Sequence, residues 1–222
     1  MEMHSNDRIT GPSQKILTRK WREFVLNQGL VPVARVQTAL VLLAATDKIP
    51  ELDSQERLRL GQIGDETRRQ EWMTGLKAQR LVLEARSGDL PGGRVTSLAH
   101  SAGWVLAVSA GGVRAVGVDI EPTHRPLGEM HEARLFRKLT RFADEADRAT
   151  QAGVGALGLW ALKEACFKAS AGRPGQWISQ WRVVRLDPAN LAGECEAPDG
   201  EIVFFQIARF EGWWVAFALI RA

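Results

Sequence analysis

The strongest constraint on the fold of this 222-residue chain is an apolar run that ends in two carboxylates. Val116–Glu121 reads Val-Gly-Val-Asp-Ile-Glu, which predicts a buried strand. Because side chains alternate between the two faces of a strand, Asp119 and Glu121 leave it on the same face. A core excludes unpaired charge, so the pattern predicts that the strand ends either at a site or in solvent.

A second charged segment follows about 40 residues later. Trp160–Lys168 reads Trp-Ala-Leu-Lys-Glu-Ala-Cys-Phe-Lys. A helical period puts Trp160, Glu164 and Lys168 on one stripe. If strand and helix converge, three carboxylates and a lysine form a divalent-cation site that faces a phosphate. The alternative is a surface pair between Glu164 and Lys168, worth only about 0.2–0.5 kcal/mol, with Trp160 as a core residue.

In this order, the two motifs resemble the signature of the 4′-phosphopantetheinyl transferase superfamily, in particular its long monomeric subclass of two similar halves. That signature is a G-[VI]-D-[IVL]-E strand end followed by a W-x-x-K-E-A-x-x-K helix. Leu98–Ser101 is similar to the family's S-H-S segment, with Ala99 in place of the usual serine. The resemblance spans about residues 50–170 and includes an arginine-rich helical stretch at 68–80. The first 30 residues show no specific match.

The resemblance implies a reaction. Members of the family move the phosphopantetheine arm of coenzyme A to a serine of an apo acyl or peptidyl carrier protein and release 3′,5′-ADP. Such phosphoryl transfer depends mostly on positioning and charge neutralisation. The implied Mg²⁺ ligands are Asp119, Glu121 and Glu164, and Lys168 is expected to stabilise the pyrophosphate leaving group. The proton acceptor is either Glu164 or a water molecule held by the metal.

The resemblance also implies contacts to coenzyme A. The expected contacts are His100, Arg86, Arg57, Arg59, Lys163 and Lys168. His100 matches the family's phosphate-binding histidine, and Arg86 lies near the family's basic residue for the 3′-phosphate. Lys163 lies about 100° away from the Glu164 stripe and is expected to reach a phosphate or solvent. Arginines on helices are more often solvated surface residues, so Arg57 and Arg59 have that alternative interpretation.

The pattern along the chain predicts an α+β fold of two similar halves that meet near Gly111. Predicted helices cover 14–29, 65–86, 129–141 and 154–170, and predicted strands cover 33–45, 104–109, 113–120, 181–186, 201–210 and 213–220. Ala110–Gly112 predicts a hairpin turn. The resemblance implies that 1–111 holds the coenzyme A phosphates and that 112–222 holds the metal and catalytic motifs. Each half is expected to be a small antiparallel sheet packed with a long helix, with the active site in the cleft between them.

Composition narrows the class of protein. Hydrophobic residues make up 45% of the chain and charged residues 25%, which is typical of a globular protein. No apolar run reaches the length of a membrane span, and residues 1–12 lack the apolar region of a signal peptide. The net charge of +3 is too weak to indicate nucleic-acid binding. Cys166 and Cys195 supply no disulfide framework or zinc spacing, so we expect a cytoplasmic protein. The resemblance implies that it is a monomer.

The predicted helix at 129–141 has a basic, amphipathic character. Phe136 and Leu139 are apolar, while Arg134, Arg137, Lys138 and Arg141 are basic. An ordinary surface helix would look the same. The resemblance suggests instead that this segment docks the acidic helix of a carrier protein.

Two other classes of function remain open. One is a catalytically degenerate family member that binds coenzyme A or carrier proteins without chemistry, which Ala99 alone favours. The other is an unrelated Mg²⁺-dependent phosphohydrolase, although the chain has no Walker-type glycine loop. The native carrier protein and its pathway are not readable from these motifs.

Overall fold

The computed structural model describes residues 14–15, 39–44, 51–84, 94–124, 128–172, 175–210 and 212–222. Its strands are β1 Gln14–Lys15, β2 Ala39–Ala44, β3 Arg94–Ser101, β4 Trp104–Gly111, β5 Val113–Pro122, β6 Arg182–Asp187, β7 Ala192–Glu196, β8 Ile202–Phe210 and β9 Trp213–Arg221. Its helices are α1 Ser54–Gln62, α2 Glu66–Glu84, α3 Glu129–Leu139, α4 Ala143–Gln151 and α5 Ala156–Ala169, with a 3₁₀ turn at Ile178–Gln180. No helix within these ranges is long and apolar enough to cross a membrane.

The strands form two antiparallel sheets, in the orders β1-β2-β4-β3 and β5-β9-β8-β7-β6. Both halves share one connectivity: a strand, a helix, and a hairpin whose second strand pairs with the first strand. In the first half these are β2, α2 and β3–β4. In the second half they are β5, α5 and β8–β9, and β6 and β7 extend the sheet. The α+β class of two similar halves is therefore confirmed.

The layers run helix, sheet, sheet, helix. On β4, Val105 and Ala107 pack with Ala78 and Val82 of α2. The alternate residues of β4, such as Leu106, join a second core with residues of β5 and β9. A third core lies between the second sheet and α5. The alternation of a strand therefore lets β4 serve two cores at once.

The hairpin expected at Ala110–Gly112 is wrong. β4 and β5 lie in different sheets, and β4 forms its hairpin with β3. Ala102 and Gly103 in that turn have φ angles of 46° and 78°, as two-residue hairpin turns require. Gly112, at φ 74°, instead occupies the connection between the two sheets. An apolar run, glycines and a second apolar run do not specify whether the two strands pair.

Most other predicted elements are confirmed within the described residues. α2, α3 and α5 lie at the expected helices, and β2, β4, β5, β6, β8 and β9 lie at the expected strands. The helix expected at 14–29 is wrong at residues 14–15, which form β1, and residues 16–29 lie outside the described ranges. α1, α4 and β7 were not predicted. α4 buries only Glu145 and Ala149, so it lacks an apolar stripe that a sequence pattern could reveal.

Candidate active site

The site is built where α5 packs directly on β5. A Cβ atom at Gly117 would lie 1.9 Å from the backbone oxygen of Ala165, so no larger residue fits there without a shift of the backbone. This close approach aligns the acidic end of β5 with the last turns of α5. The glycine of the strand motif is therefore a packing requirement of the helix motif.

At this contact, Lys168 reaches across to Asp119. Its Nζ atom lies 2.7 Å from Asp119 Oδ1 and donates a second hydrogen bond to the backbone oxygen of Val118 at 3.1 Å. Asp119 is only 6% exposed, whereas the Lys168 side chain is 28% exposed. Asp119 Oδ2 is buried and has no hydrogen-bond partner among the described residues. One carboxylate oxygen thus pairs with Lys168, and the other makes no hydrogen bond to the described residues.

The carboxylates influence one another. Burial raises the pKa of Asp119 to about 6; Lys168 opposes this rise, and Glu121 adds to it. Burial also raises the pKa of Glu164, again opposed by Lys168 and increased by Asp119. The two motifs therefore share one electrostatic site. Within the part of the chain that the structure describes, no group of three or more His, Cys, Asp or Glu residues is arranged to hold a metal ion.

The donor chemistry nevertheless suits a hard cation. Mg²⁺ takes oxygen ligands, usually one or two carboxylates together with phosphate and water, rather than an all-protein cage. The unpartnered Oδ2 of Asp119 is a carboxylate oxygen of this kind. Asp119 Oδ2 could supply one such ligand, and the full set of Asp119, Glu121 and Glu164 remains a prediction.

The first half meets the site through β3, which runs beside β5. Ser97 Oγ accepts a hydrogen bond from the backbone nitrogen of Val118 at 3.1 Å, and Ser101 Oγ donates to Glu121 Oε2 at 3.3 Å. Ala99, between these serines on the same face, is 1% exposed and belongs to the core between the sheets. The serines at alternate positions were the available signal for this contact, and sequence analysis missed their role.

The structure describes three of the four residues expected to bind coenzyme A in the first half. His100 is exposed and lies on the opposite face of β3 from Ser101. Arg57 and Arg59 are exposed on α1, and Arg86 lies outside the described residues. Their roles remain predictions.

Lys163 requires a correction, because the structure places it inside the protein. It is fully buried, and its Nζ atom donates to Glu145 Oε1 at 2.7 Å and to the backbone oxygen of Leu139 at 2.6 Å. An ammonium group held in this way does not reach a phosphate. The angular offset from Glu164 turns Lys163 toward α3 and α4 rather than toward a ligand.

The remaining motif residues pack. Trp160 is partly buried against the core of the second half. Cys166 and Cys195 are free and fully buried. Burial, together with the neighbouring Cys195, raises the pKa of the Cys166 thiol well above its usual value. A buried thiol with a raised pKa is typical of a core residue rather than a nucleophile.

The molecule is thus an α+β protein with a carboxylate–lysine site between a strand and a helix. Residues 115–217 match the family model of the 4′-phosphopantetheinyl transferase superfamily, which supports the resemblance of the two motifs to that superfamily. The segment contains Asp119, Glu121, Glu164 and Lys168, whereas the resemblance noted for residues 50–114 lies outside it. The matched superfamily is one of transferases that use coenzyme A. No curated protein matches the chain.

Proposed function

We propose that the protein transfers the 4′-phosphopantetheine arm of coenzyme A to a serine of an apo acyl or peptidyl carrier protein in a Mg²⁺-dependent reaction. The observation that carries this proposal is the convergence of Asp119 and Lys168 at the junction of β5 and α5. The proposed metal ligands are Asp119, Glu121 and Glu164. When bound, Mg²⁺ supplies positive charge that neutralises the pyrophosphate oxygens.

In the proposed reaction the serine oxygen forms a bond to the phosphorus that bears pantetheine. The bond from that phosphorus to the bridging oxygen breaks, and 3′,5′-ADP leaves with the oxygen. Lys168 is proposed to stabilise the charge that develops there. Its partly exposed ammonium group supports this role, because an anionic ligand can approach it from solvent.

The serine proton needs an acceptor, and we propose Glu164. Burial raises the pKa of Glu164, which makes its carboxylate a stronger base than an exposed glutamate. Metal ligation would lower that basicity, so the two roles of Glu164 oppose each other. The pKa of the acidic limb of the pH–rate profile, measured at low and at saturating Mg²⁺, shows which role of Glu164 dominates.

We also propose that the halves 1–111 and 112–222 hold coenzyme A between them. Ser101, bonded to Glu121, supports this because it joins β3 to the acidic end of β5. His100→Ala and Arg86→Ala are expected to raise the KM for coenzyme A more than they lower kcat. Dephospho-coenzyme A is the sharper probe for Arg86. If Arg86→Ala weakens it as much as it weakens coenzyme A, Arg86 does not recognise the 3′-phosphate.

For the carrier protein we propose docking on α3. Arg134 and Arg137 are exposed, and Lys138 lies over the ring of Trp177 at 4.3 Å. Trp177 is itself 62% exposed. A basic surface beside an exposed aromatic ring complements an acidic helix that carries a few apolar side chains.

The test is incubation with coenzyme A, Mg²⁺ and several apo carrier proteins, followed by mass spectrometry. A mass gain equal to the phosphopantetheine arm supports the transferase. Cleavage of coenzyme A without carrier modification would indicate a hydrolase. Binding without either product would indicate a degenerate member. Glu164→Ala is the inactive control, and Asp147→Ala, at an exposed position of α4, is the matched active control.

A further inference from the structure

A fully buried ion pair lies behind the candidate active site. Lys163 of α5 and Glu145 of α4 are both inaccessible to solvent, and Lys163 Nζ lies 2.7 Å from Glu145 Oε1. Neither residue contacts the Asp119–Lys168 pair through a described hydrogen bond. Lys163 nevertheless directly precedes Glu164 in the chain.

The pair joins four elements. Lys163 Nζ also donates to the backbone oxygen of Leu139, at the end of α3. Glu145 Oε1 also accepts the backbone N–H of Val183 in β6 at 2.7 Å, and its Oε2 accepts that of Phe142 at 3.2 Å. α3, α4, α5 and β6 therefore meet at one pair of opposite charges.

Stability alone is a weak reason for this pair. Desolvation of two charges can exceed their attraction, and apolar residues of the same volume often serve at least as well. What a buried, hydrogen-bonded pair supplies is a defined geometry, because each partner must meet the other at one distance and direction.

That geometry is useful at α5. The glycine at position 117 lets α5 approach β5 closely, and apolar residues of α5 pack on β8, β9 and α3 as well. Apolar packing is non-directional, so it specifies the rotation of a helix about its axis less sharply than hydrogen bonds do. Lys163 attaches the helix on another side, about 100° from Glu164. This directional attachment, added to the packing of α5 on the sheet, favours one rotation of the helix about its axis.

We propose that Lys163 and Glu145 are positioning residues that hold α5 at the rotation at which Glu164 and Lys168 face Asp119. This inference rests on the proposed transferase function for its kinetic readout. Its structural part, the coupling of the two residues to one another and to Mg²⁺ binding, does not need that activity.

The test is a double-mutant cycle of Lys163→Met, Glu145→Gln and both together. We measure kcat, the KM for coenzyme A, the Mg²⁺ concentration for half-maximal rate, the free energy of unfolding, and the rise in unfolding temperature caused by Mg²⁺. Arg185→Met is the matched control, since Arg185 forms an exposed pair with Glu194 at 2.9 Å.

Each single variant is expected to lower kcat and weaken the Mg²⁺ response by about 10-fold, with the KM for coenzyme A changed less than about twofold. The kcat and the Mg²⁺ response of the double variant are expected to be no lower than those of the single variants, because all three variants lose the same Lys163–Glu145 ion pair. Arg185→Met is expected to leave all five quantities unchanged. If a single variant fails to fold, the kcat and the Mg²⁺ response of the double variant, which lacks both charges, decide whether the pair positions α5.

Two results would overturn the inference. If Lys163→Met raises the KM for coenzyme A by the same factor whether residue 145 is Glu or Gln, Lys163 contacts the ligand directly. The effects of the two substitutions on the free energy of unfolding could be non-additive while kcat and the Mg²⁺ response stay unchanged. In that case the pair only stabilises the fold. Absence of transfer by the wild-type protein would instead refute the proposed function, and the Mg²⁺-dependent unfolding temperature would still test the positioning.

Discussion

The two halves share a connectivity but bury their helices differently. α5 buries ten of its fourteen residues, because the second sheet covers one side and α3 and the 3₁₀ turn cover another. Of the residues of α2 whose burial is described, only Thr74, Gly75, Ala78 and Val82 are buried, and the main packing of α2 is on β2, β3 and β4. A helix enclosed on several sides can hold charges at fixed positions, and a helix with one open side leaves its charges to solvent.

The comparison teaches where catalytic precision resides in this molecule. The charged groups of α5 meet Asp119 and Glu145 at hydrogen-bond distance in buried surroundings. The charged groups of α2 form exposed or partly exposed pairs, such as Arg80 with Glu56 of α1 at 2.6 Å. This difference supports the proposal that the first half meets the anionic ligand and that the second half orients its reacting atoms.

The largest expected effect is loss of transfer when a carboxylate of the second half is removed. Asp119→Ala and Glu164→Ala should each lower kcat by about 10³-fold, because each removes a proposed ligand of the ion that neutralises the pyrophosphate. Circular dichroism should show an intact fold. Near-normal turnover by either variant at limiting Mg²⁺ would show that the metal ligands are elsewhere.

Glycine substitution in each half compares the two helix–sheet contacts directly. Gly117→Ala should lower the free energy of unfolding by about 3 kcal/mol, because the new Cβ atom meets the backbone oxygen of Ala165. Gly75→Ala in α2 meets only Leu98 Cδ2, at 2.7 Å, which is the end of a flexible side chain. The loss of stability caused by Gly75→Ala should be offset by about 1 kcal/mol, because alanine has a higher helix propensity than glycine.

Urea unfolding of both variants measures this difference. Equal losses of stability would mean that α5 can move away from β5 as readily as Leu98 can change rotamer. The greater enclosure of α5 would then not make that half more rigid.

The ionisation of Asp119 should make stability depend on pH in the opposite sense to an ordinary ion-paired aspartate. Its pKa of about 6 in the folded protein lies above 3.8, so the folded state holds the proton more tightly than the unfolded state does. The stabilisation is complete below about pH 4 and is lost as pH rises through about 6. Ionised Asp119 then costs on the order of 3 kcal/mol at pH 7.

Asp119→Asn removes that cost. In Mg²⁺-free buffer the variant should gain stability relative to the wild type as pH rises from 4 to 7, while Asp147→Asn, at an exposed position, should not. Mg²⁺ should stabilise the wild type and leave Asp119→Asn unaffected. A constant difference across this pH range would show that burial of Asp119 does not control its ionisation.

The smallest expected effect concerns the outer surface of the second half. Reversing Arg137 and Lys138 to Glu should raise the KM for the carrier several-fold, with a dependence on salt, and leave coenzyme A affinity unchanged. Calorimetry with coenzyme A and kinetics with the carrier separate the two effects. Weaker coenzyme A binding with unchanged carrier kinetics would place α3 at the nucleotide instead.

The sequence by itself determined the elements of the site. The strand that ends in Asp119 and Glu121 and the helix that carries Glu164 and Lys168 follow from local periodicity, which depends only on neighbouring residues. The same periodicity gave α2, α3 and most strands. It also placed Lys163 away from the Glu164 stripe, although it did not say what lies on that side.

The tertiary structure decided which elements meet and what each face touches. Whether β4 pairs with β5, whether Gly117 meets a helix backbone, and whether Lys163 faces a phosphate or Glu145 all depend on residues distant in the chain. α4 illustrates the limit, since its decisive residue is a buried glutamate that any pattern would place in solvent. Burial of a charge is settled by the partner that the fold supplies, and that partner is not a local property of the sequence.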